Sequence, residues 1–312
     1  MIILRSYQKV SHATKEHDLE AQFHTLADGR ALAYNEYGDP SGHPVFYAHG
    51  GPGSRLEGQI FHEVALQYGI RIIATDRPGM GQSTLLPNRT LLDYPKDIAS
   101  LADALSIERF GVLGWSGGGA HTTVCAYAIP DRLTFNITLA GYTNLAEMPN
   151  ATDLLESKID RVAVRLAQIQ SPLFGFFFHL ARWSILYFPN MVYSVFEKSV
   201  SDTDRVILSD IGLKPQYIDT QKEAFAQGAR GNTIDAQVHY DDWGFRLNEI
   251  PGHIHVFHGT DDPLVPFAYA EHLAANVPHC ELHILQGQGH LFPIDHQALI
   301  FETALEEIAT TP

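Results

Sequence analysis

Two cysteines in 312 residues leave this chain without a disulfide framework. Cys125 and Cys280 stand far apart and form no Cys-x-x-Cys pair, so both read as buried thiols of a reducing, cytoplasmic protein. Positive charge is scarce as well. The 21 Lys and Arg against 36 Asp and Glu give a formal net charge of −15, which argues against a nucleic-acid or anionic-membrane surface as partner. Long uninterrupted apolar runs are missing. The most apolar stretch, Ser171 to Phe196, is broken by Pro172, His179, Arg182 and Pro189. A spanning helix needs about 20 predominantly apolar residues, so this stretch reads instead as helices with a greasy face. At the N-terminus only four apolar residues precede the first charge, and no signal peptide is expected. Internal repeats and low-complexity tracts are absent too.

What remains is a globular composition, 45% hydrophobic and 11% aromatic, in a chain long enough for one α/β domain with an insertion or for two ordinary domains. Short apolar runs ending in loops alternate with helical patterns: "HPVFYAHG", "IRIIATDRPGMGQS", "RFGVLGWS" and "RLTFNITLAG" read as strands. "QIFHEVALQYG", "DYPKDIASLADALS" and "GGAHTTVCAYAIP" read as helices between them. In the second helix Ile98, Leu101, Ala102 and Leu105 share one face. This alternation predicts a mostly parallel sheet flanked by helices. It stops near Thr143 and resumes near Asn248 with "GHIHVFHGTDD", "PFAYAEHLAANV", "CELHILQGQGH" and "DHQALIFETALEEIA". Residues 1–142 and 249–312 are therefore expected to form one core domain, and 143–248 an inserted helical cap.

The pentapeptide Gly114-Trp115-Ser116-Gly117-Gly118 matches G-x-S-x-G at a strand-to-helix junction. A strand turning sharply into a helix strains its central residue and leaves no room for a Cβ two residues before and after. Alone, the pattern fits a nucleophile or a Gly-rich phosphate-binding turn equally. The strand before and helix after favour a nucleophile. A serine hydroxyl then needs a base, usually a histidine oriented by a carboxylate, on loops after later strands. "VFHGTDDPLVP" offers Asp261 and Asp262, and "HILQGQGHLFP" offers His290. Among 17 histidines, His283 lies inside a strand, His296 starts the last helix and His258 precedes the acid; only His290 ends the last strand in a Gly-flanked loop.

"HGGPGSR" (His49–Arg55), "DRPGMGQS" (Asp76–Ser83), "GWSGG", "HGTDDPLVP" and "GQGH" together resemble the α/β-hydrolase superfamily, and the first two resemble its proline-iminopeptidase-like branch. The resemblance covers everything except the cap and about the first twenty residues, and it implies the α/β-hydrolase fold. In register with the family's Gly-x-x-Asp-x-x-Val-Pro pattern stand Gly259, Asp262, Val265 and Pro266, making Asp262 the acid and Asp261 the fallback. The resemblance further implies an oxyanion hole from the N–H groups of Gly117 and Gly51, a small-molecule substrate and no cofactor. His49 is expected to be structural, and Asp76 and Arg77 to brace a loop as a pair.

Serine at position 116 excludes the alkyl-enzyme route of dehalogenases and favours acyl transfer. One candidate is an ester hydrolase whose cap aromatics, Phe174, Phe176, Phe177, Phe178, Trp183 and Phe188, form an acyl pocket, Phe177 and Trp183 being possible substrate contacts. The other is a proline-releasing aminopeptidase, with Glu147, Asp153 or Glu156 receiving the ammonium group. In the iminopeptidases an aromatic residue commonly follows the nucleophile; Gly117 and Gly118 follow here, which favours the esterase. A non-catalytic binding protein on the same fold is a third reading. A metal site at His253, His255 and His258 lacks a carboxylate at helical spacing, and no metal is expected.

Overall fold

The computed structural model describes residues 20–210 and 212–310; the N-terminal stretch expected to carry no signal peptide lies outside them. An eight-stranded sheet runs in the order β1-β2-β4-β3-β5-β6-β7-β8. Its centre comprises β3 (His43–Ala48), β4 (Ile70–Thr75), β5 (Phe110–Trp115) and β6 (Leu133–Leu139), all parallel. They continue in parallel into β7 (Ile254–Gly259) and β8 (Cys280–Leu285). Apolar and β-branched residues fill these strands because both faces are covered. Phe46 joins the core cluster on one face, and its neighbours Val45 and Tyr47 the cluster on the other.

The opposite edge is antiparallel, formed by β1 (Gln22–Thr25) and β2 (Ala31–Gly38). Neither strand stands out in the sequence, because Asn35 and Glu36 interrupt the alternation of β2. Asn35 is buried all the same, donating to Glu20 O at 3.0 Å and accepting from Arg55 Nε at 2.5 Å.

Helices α1 (His62–Gln67), α2 (Tyr94–Ala104), α3 (Gly117–Ala128), α10 (Phe267–Asn276), α11 (Phe292–Asp295) and α12 (Gln297–Thr310) belong to the strand–helix alternation. Between β6 and β7 come six more: α4 (Lys158–Gln168), α5 (Pro172–Tyr187), α6 (Pro189–Ser199), α7 (Asp202–Leu208), α8 (Leu213–Ala224) and α9 (Arg230–Tyr240). Among the described residues none of the helices is long and apolar enough to cross a membrane. Both thiols are free; Cys125 is buried as expected, whereas Cys280 is only partly so, standing on the edge strand β8.

Candidate active site

Ser116 sits between β5 and α3 with φ 55° and ψ −121°, a left-handed backbone that costs a side-chain-bearing residue about 1–3 kcal/mol. Its neighbours enforce the turn. A methyl group on Gly118 would lie 1.9 Å from Ala48 O, and one on Gly114 2.4 Å from Gly118 O. The Ser116 N–H is held by Leu139 O at 2.8 Å. Helix α3, buried along most of its length, then backs the turn from the middle of the fold.

The loop after β7 delivers Asp262. Its Oδ1 accepts from the N–H groups of Leu264 (2.8 Å) and Val265 (2.9 Å), and its Oδ2 lies 2.7 Å from His290 Nδ1. Asp261 is exposed and accepts from Thr260 Oγ1 at 2.9 Å, so the two neighbouring carboxylates point to different surroundings. His290 is fixed through its backbone as well. Its N–H donates to Asp204 Oδ2 at 2.9 Å, and its carbonyl accepts from Trp115 Nε1 at 3.1 Å. With Nδ1–H directed at Asp262, Nε2 is the basic nitrogen. Ser116, His290, Gly51 and Gly117 all line one cavity of about 560 Å³. Ser116 Oγ and His290 form no hydrogen bond with each other in this structure.

Burial pushes the imidazole of His290 down, but the charge and hydrogen bond of Asp262, with Asp204 and Glu57 further off, more than offset this and raise it above its ordinary 6.5. Burial likewise pushes Asp262 up, and the adjacent His290 and His258 overcome that and hold it well below the carboxylate range. His258 Nε2 stands 3.4 Å from Asp262 Oδ2 and contacts Val265 O at 2.9 Å, bracing the acid from behind.

Opposite the serine, Gly50 O is held by His49 Nδ1 at 2.7 Å and by Arg77 Nη2 at 3.0 Å. In a planar trans peptide the N–H points away from the preceding C=O, so anchoring Gly50 O aims Gly51 N–H to the other side. A methyl group on Gly117 would lie 3.4 Å from Gly51 N, which places the two expected oxyanion donors beside one another. Arg77 also donates to His49 O and forms a two-bond pair with Asp235 of α9, Nε–Oδ1 2.8 Å and Nη2–Oδ2 2.7 Å. Arg89 adds a third bond to Asp235 at 2.5 Å. Asp76 and Arg77 thus brace this region, but not as a pair. Asp76 accepts from Arg55 N and Nη1, both at 2.7 Å, while Arg77 turns to the helical segment; both lie just past the end of β4.

Helix α5 forms much of the wall. Phe174, Phe177, Phe178, Ala181, Ser184 and Ile185 line the cavity, a single helical face. Trp183 does not: it lies off that face, half-exposed, its ring 5.1 Å from that of Phe188. Phe176 and Phe188 are also outside. Glu147, Asp153 and Glu156 do not reach the cavity either; Glu147 binds Asn144 and Leu247, and Asp153 pairs with Arg165.

A family model described as the alpha/beta hydrolase fold matches residues 43–297. The chain belongs to the α/β-hydrolase family. The chain is 38% identical over 112 residues to a proline iminopeptidase of Xylella fastidiosa (strain 9a5c), covering 34% of this chain and 35% of that one. It therefore spans about a third of the length of that curated relative (35%), and the likeness supports the proline-iminopeptidase-like branch. A non-heme chloroperoxidase of Streptomyces lividans is 26% identical over 263 residues, 79% of this chain and 84% of that one. The solved esterase of Exiguobacterium antarcticum superposes with a TM-score of 0.67 over 93% of this chain and 100% of its own, at 19% identity, a likeness of fold.

Two residues of the cavity carry no signal in the sequence. Glu57 accepts from Tyr47 OH (2.6 Å) and Gly50 N (2.7 Å) through Oε1 alone, leaving Oε2 without a protein partner among the described residues. A methyl group on Gly50 would lie 3.3 Å from that Oε2 and 3.6 Å from Ser116 Cβ, so carboxylate and serine flank the same glycine. Burial raises the Glu57 carboxyl, against the lowering by its two donors. The other residue is His239 of α9, whose Cε1 would stand 2.8 Å from a methyl group on Gly117. Burial lowers its pKa to about 4 despite Asp235, so it is neutral.

Proposed function

We propose that this hydrolase cleaves carboxylic esters of small to medium, fairly apolar substrates through an acyl-enzyme. The observation that carries the reading is a His290–Asp262 pair at 2.7 Å whose imidazole borders the cavity that Ser116 also borders. Ser116 Oγ attacks the ester carbonyl while His290 Nε2 takes its proton. The N–H groups of Gly51 and Gly117 receive the oxyanion. Collapse of the tetrahedral intermediate breaks the carbon–oxygen bond to the alcohol, which leaves with the proton from His290. Water, deprotonated by His290, then attacks the acyl-serine, and collapse releases the acid and returns the proton to Ser116. Residues 143–248 act as a cap that supplies the apolar wall, on a core of 1–142 and 249–312. The substrate is a small molecule, and the residues invoked supply the chemistry without a cofactor.

The test is Ser116→Ala. The variant should lose turnover of p-nitrophenyl esters while keeping the wild-type circular dichroism and melting temperature. Wild-type rates in the variant would overturn the assignment. A second reading, a proline-iminopeptidase-like aminopeptidase, draws support from the free oxygen of Glu57, which offers a carboxylate to a substrate ammonium near the serine. Proline p-nitroanilide assayed beside short- and medium-chain p-nitrophenyl esters separates the two: the esterase reading requires ester turnover to dominate.

A further inference from the structure

Three buried donors, His121, Asp235 and His239, come close enough to hold a metal ion, but the guanidinium groups of Arg77 and Arg89 already neutralise Asp235, and a cation there would meet two positive charges. A second cluster stands in the opposite situation. Strands β7 and β8 pair in parallel with His255 opposite Glu281 and Phe257 opposite His283. Glu281 and His283 are two residues apart, so both project from the same face of β8.

The three groups offer one donor atom each within 4.8 Å of one another, the two oxygens of Glu281 facing different imidazoles. His255 Nδ1 lies 3.0 Å from His283 Nε2 and 3.9 Å from Glu281 Oε2, and His283 Nε2 lies 3.6 Å from Glu281 Oε1. Ligand atoms bound tetrahedrally at about 2.1 Å stand about 3.4 Å apart, in the middle of that range. Behind these three groups, His255 Nε2 is 3.2 Å from Glu307 Oε1, within ion-pair range though not aligned as a hydrogen bond, and the other Glu307 oxygen is 3.4 Å from His253 Nδ1. A carboxylate on the far nitrogen of a histidine directs the near nitrogen's lone pair outwards, as in carboxylate–histidine–zinc arrangements. The His283 ring lies flat on Phe257, with centroids 4.0 Å apart, which holds its plane. Among the described residues no lysine or arginine pairs with Glu281. The carboxylates that the sequence did not place beside "HIHVFH" thus arrive from β8 and α12, while His258 points away to Asp262.

We propose that His255, His283 and Glu281 form a binding site for a divalent transition-metal cation of the zinc type, with Glu307 orienting His255. Two imidazoles and one carboxylate select zinc or cobalt over magnesium and calcium, and water completes four-coordination. The site lies about 13 Å along β7 from the end that carries Asp262, at roughly 3.3 Å per residue, so it is separate from Ser116 and does not depend on the esterase reading. An ion there ties the last two strands to α12 through Glu307.

The experiment titrates the full chain, cleared of metal by chelation, with Zn²⁺ by calorimetry and with Co²⁺ by visible absorption. His283→Ala and Glu281→Gln are the variants, both at positions with solvent access, and His290→Ala controls for the cavity histidine. The expected result is one ion per wild-type chain, the intense absorption of four-coordinate Co²⁺, and a zinc-dependent rise in melting temperature. Affinity should fall roughly 100-fold in His283→Ala and at least about 10-fold in Glu281→Gln, and hold in His290→Ala. Absence of binding by the wild type, or binding unchanged in His283→Ala, would overturn the site.

Discussion

At the scale of single residues, the two adjacent aspartates after β7 have opposite environments, and that difference is testable. Asp262 is buried against His290, whereas Asp261 is exposed on a threonine. Asp262→Asn should lower kcat roughly 10³–10⁴-fold, and Asp261→Asn should leave it within about twofold, measured on a p-nitrophenyl ester. The pH profile follows from the same pair. In the proposed mechanism His290 must be neutral to accept a proton, and its pKa is raised, so the imidazolium persists to higher pH than for a free histidine. The acid limb of kcat/KM should therefore fall above the ordinary value of about 6.5, and move down in Asp262→Asn, where the carboxylate charge is gone. A limb below 6 in the wild type would contradict this account. Ser116, Asp262 and His290 could be singled out as candidates because each follows a strand in a recognisable local pattern. Glu57 and His239 were not, since what distinguishes them is proximity to Gly50 and Gly117 across the fold.

At the scale of elements, the central parallel strands and their helices could be read from periodicity because they are buried on both faces. The β1–β2 edge was hidden by its polar residues, and α5 shows a subtler failure. Aromatic content marked it as apolar, but which rings face the cavity depends on its rotation against α8 and α9, which composition does not encode. Phe177 lines the wall and Trp183 does not. Phe177→Ala should raise KM for medium-chain p-nitrophenyl esters about 3- to 10-fold with little change for acetate, while Trp183→Ala should stay within about twofold on both. Reversal of that order would show that α5 presents a different face to substrate.

At the scale of the whole molecule, core and helical segment are joined by buried charge. Arg77 and Arg89 of the core converge on Asp235 of α9, and Arg55 reaches Glu223 of α8 at 2.5 Å. Removing the Asp235 charge strands two guanidiniums in a dry interior; Asp235→Asn should cost about 3–5 kcal/mol in urea unfolding. The Arg77 side chain that Asp235 secures is also the one that holds the Gly50 carbonyl. On the proposed mechanism, a chimera carrying another family member's segment between β6 and β7, without an acid matched to these arginines, would fail even with an ideal binding wall: Ser116 would be intact, but the Gly51 amide proposed to steady the reacting oxygen would have lost its aim.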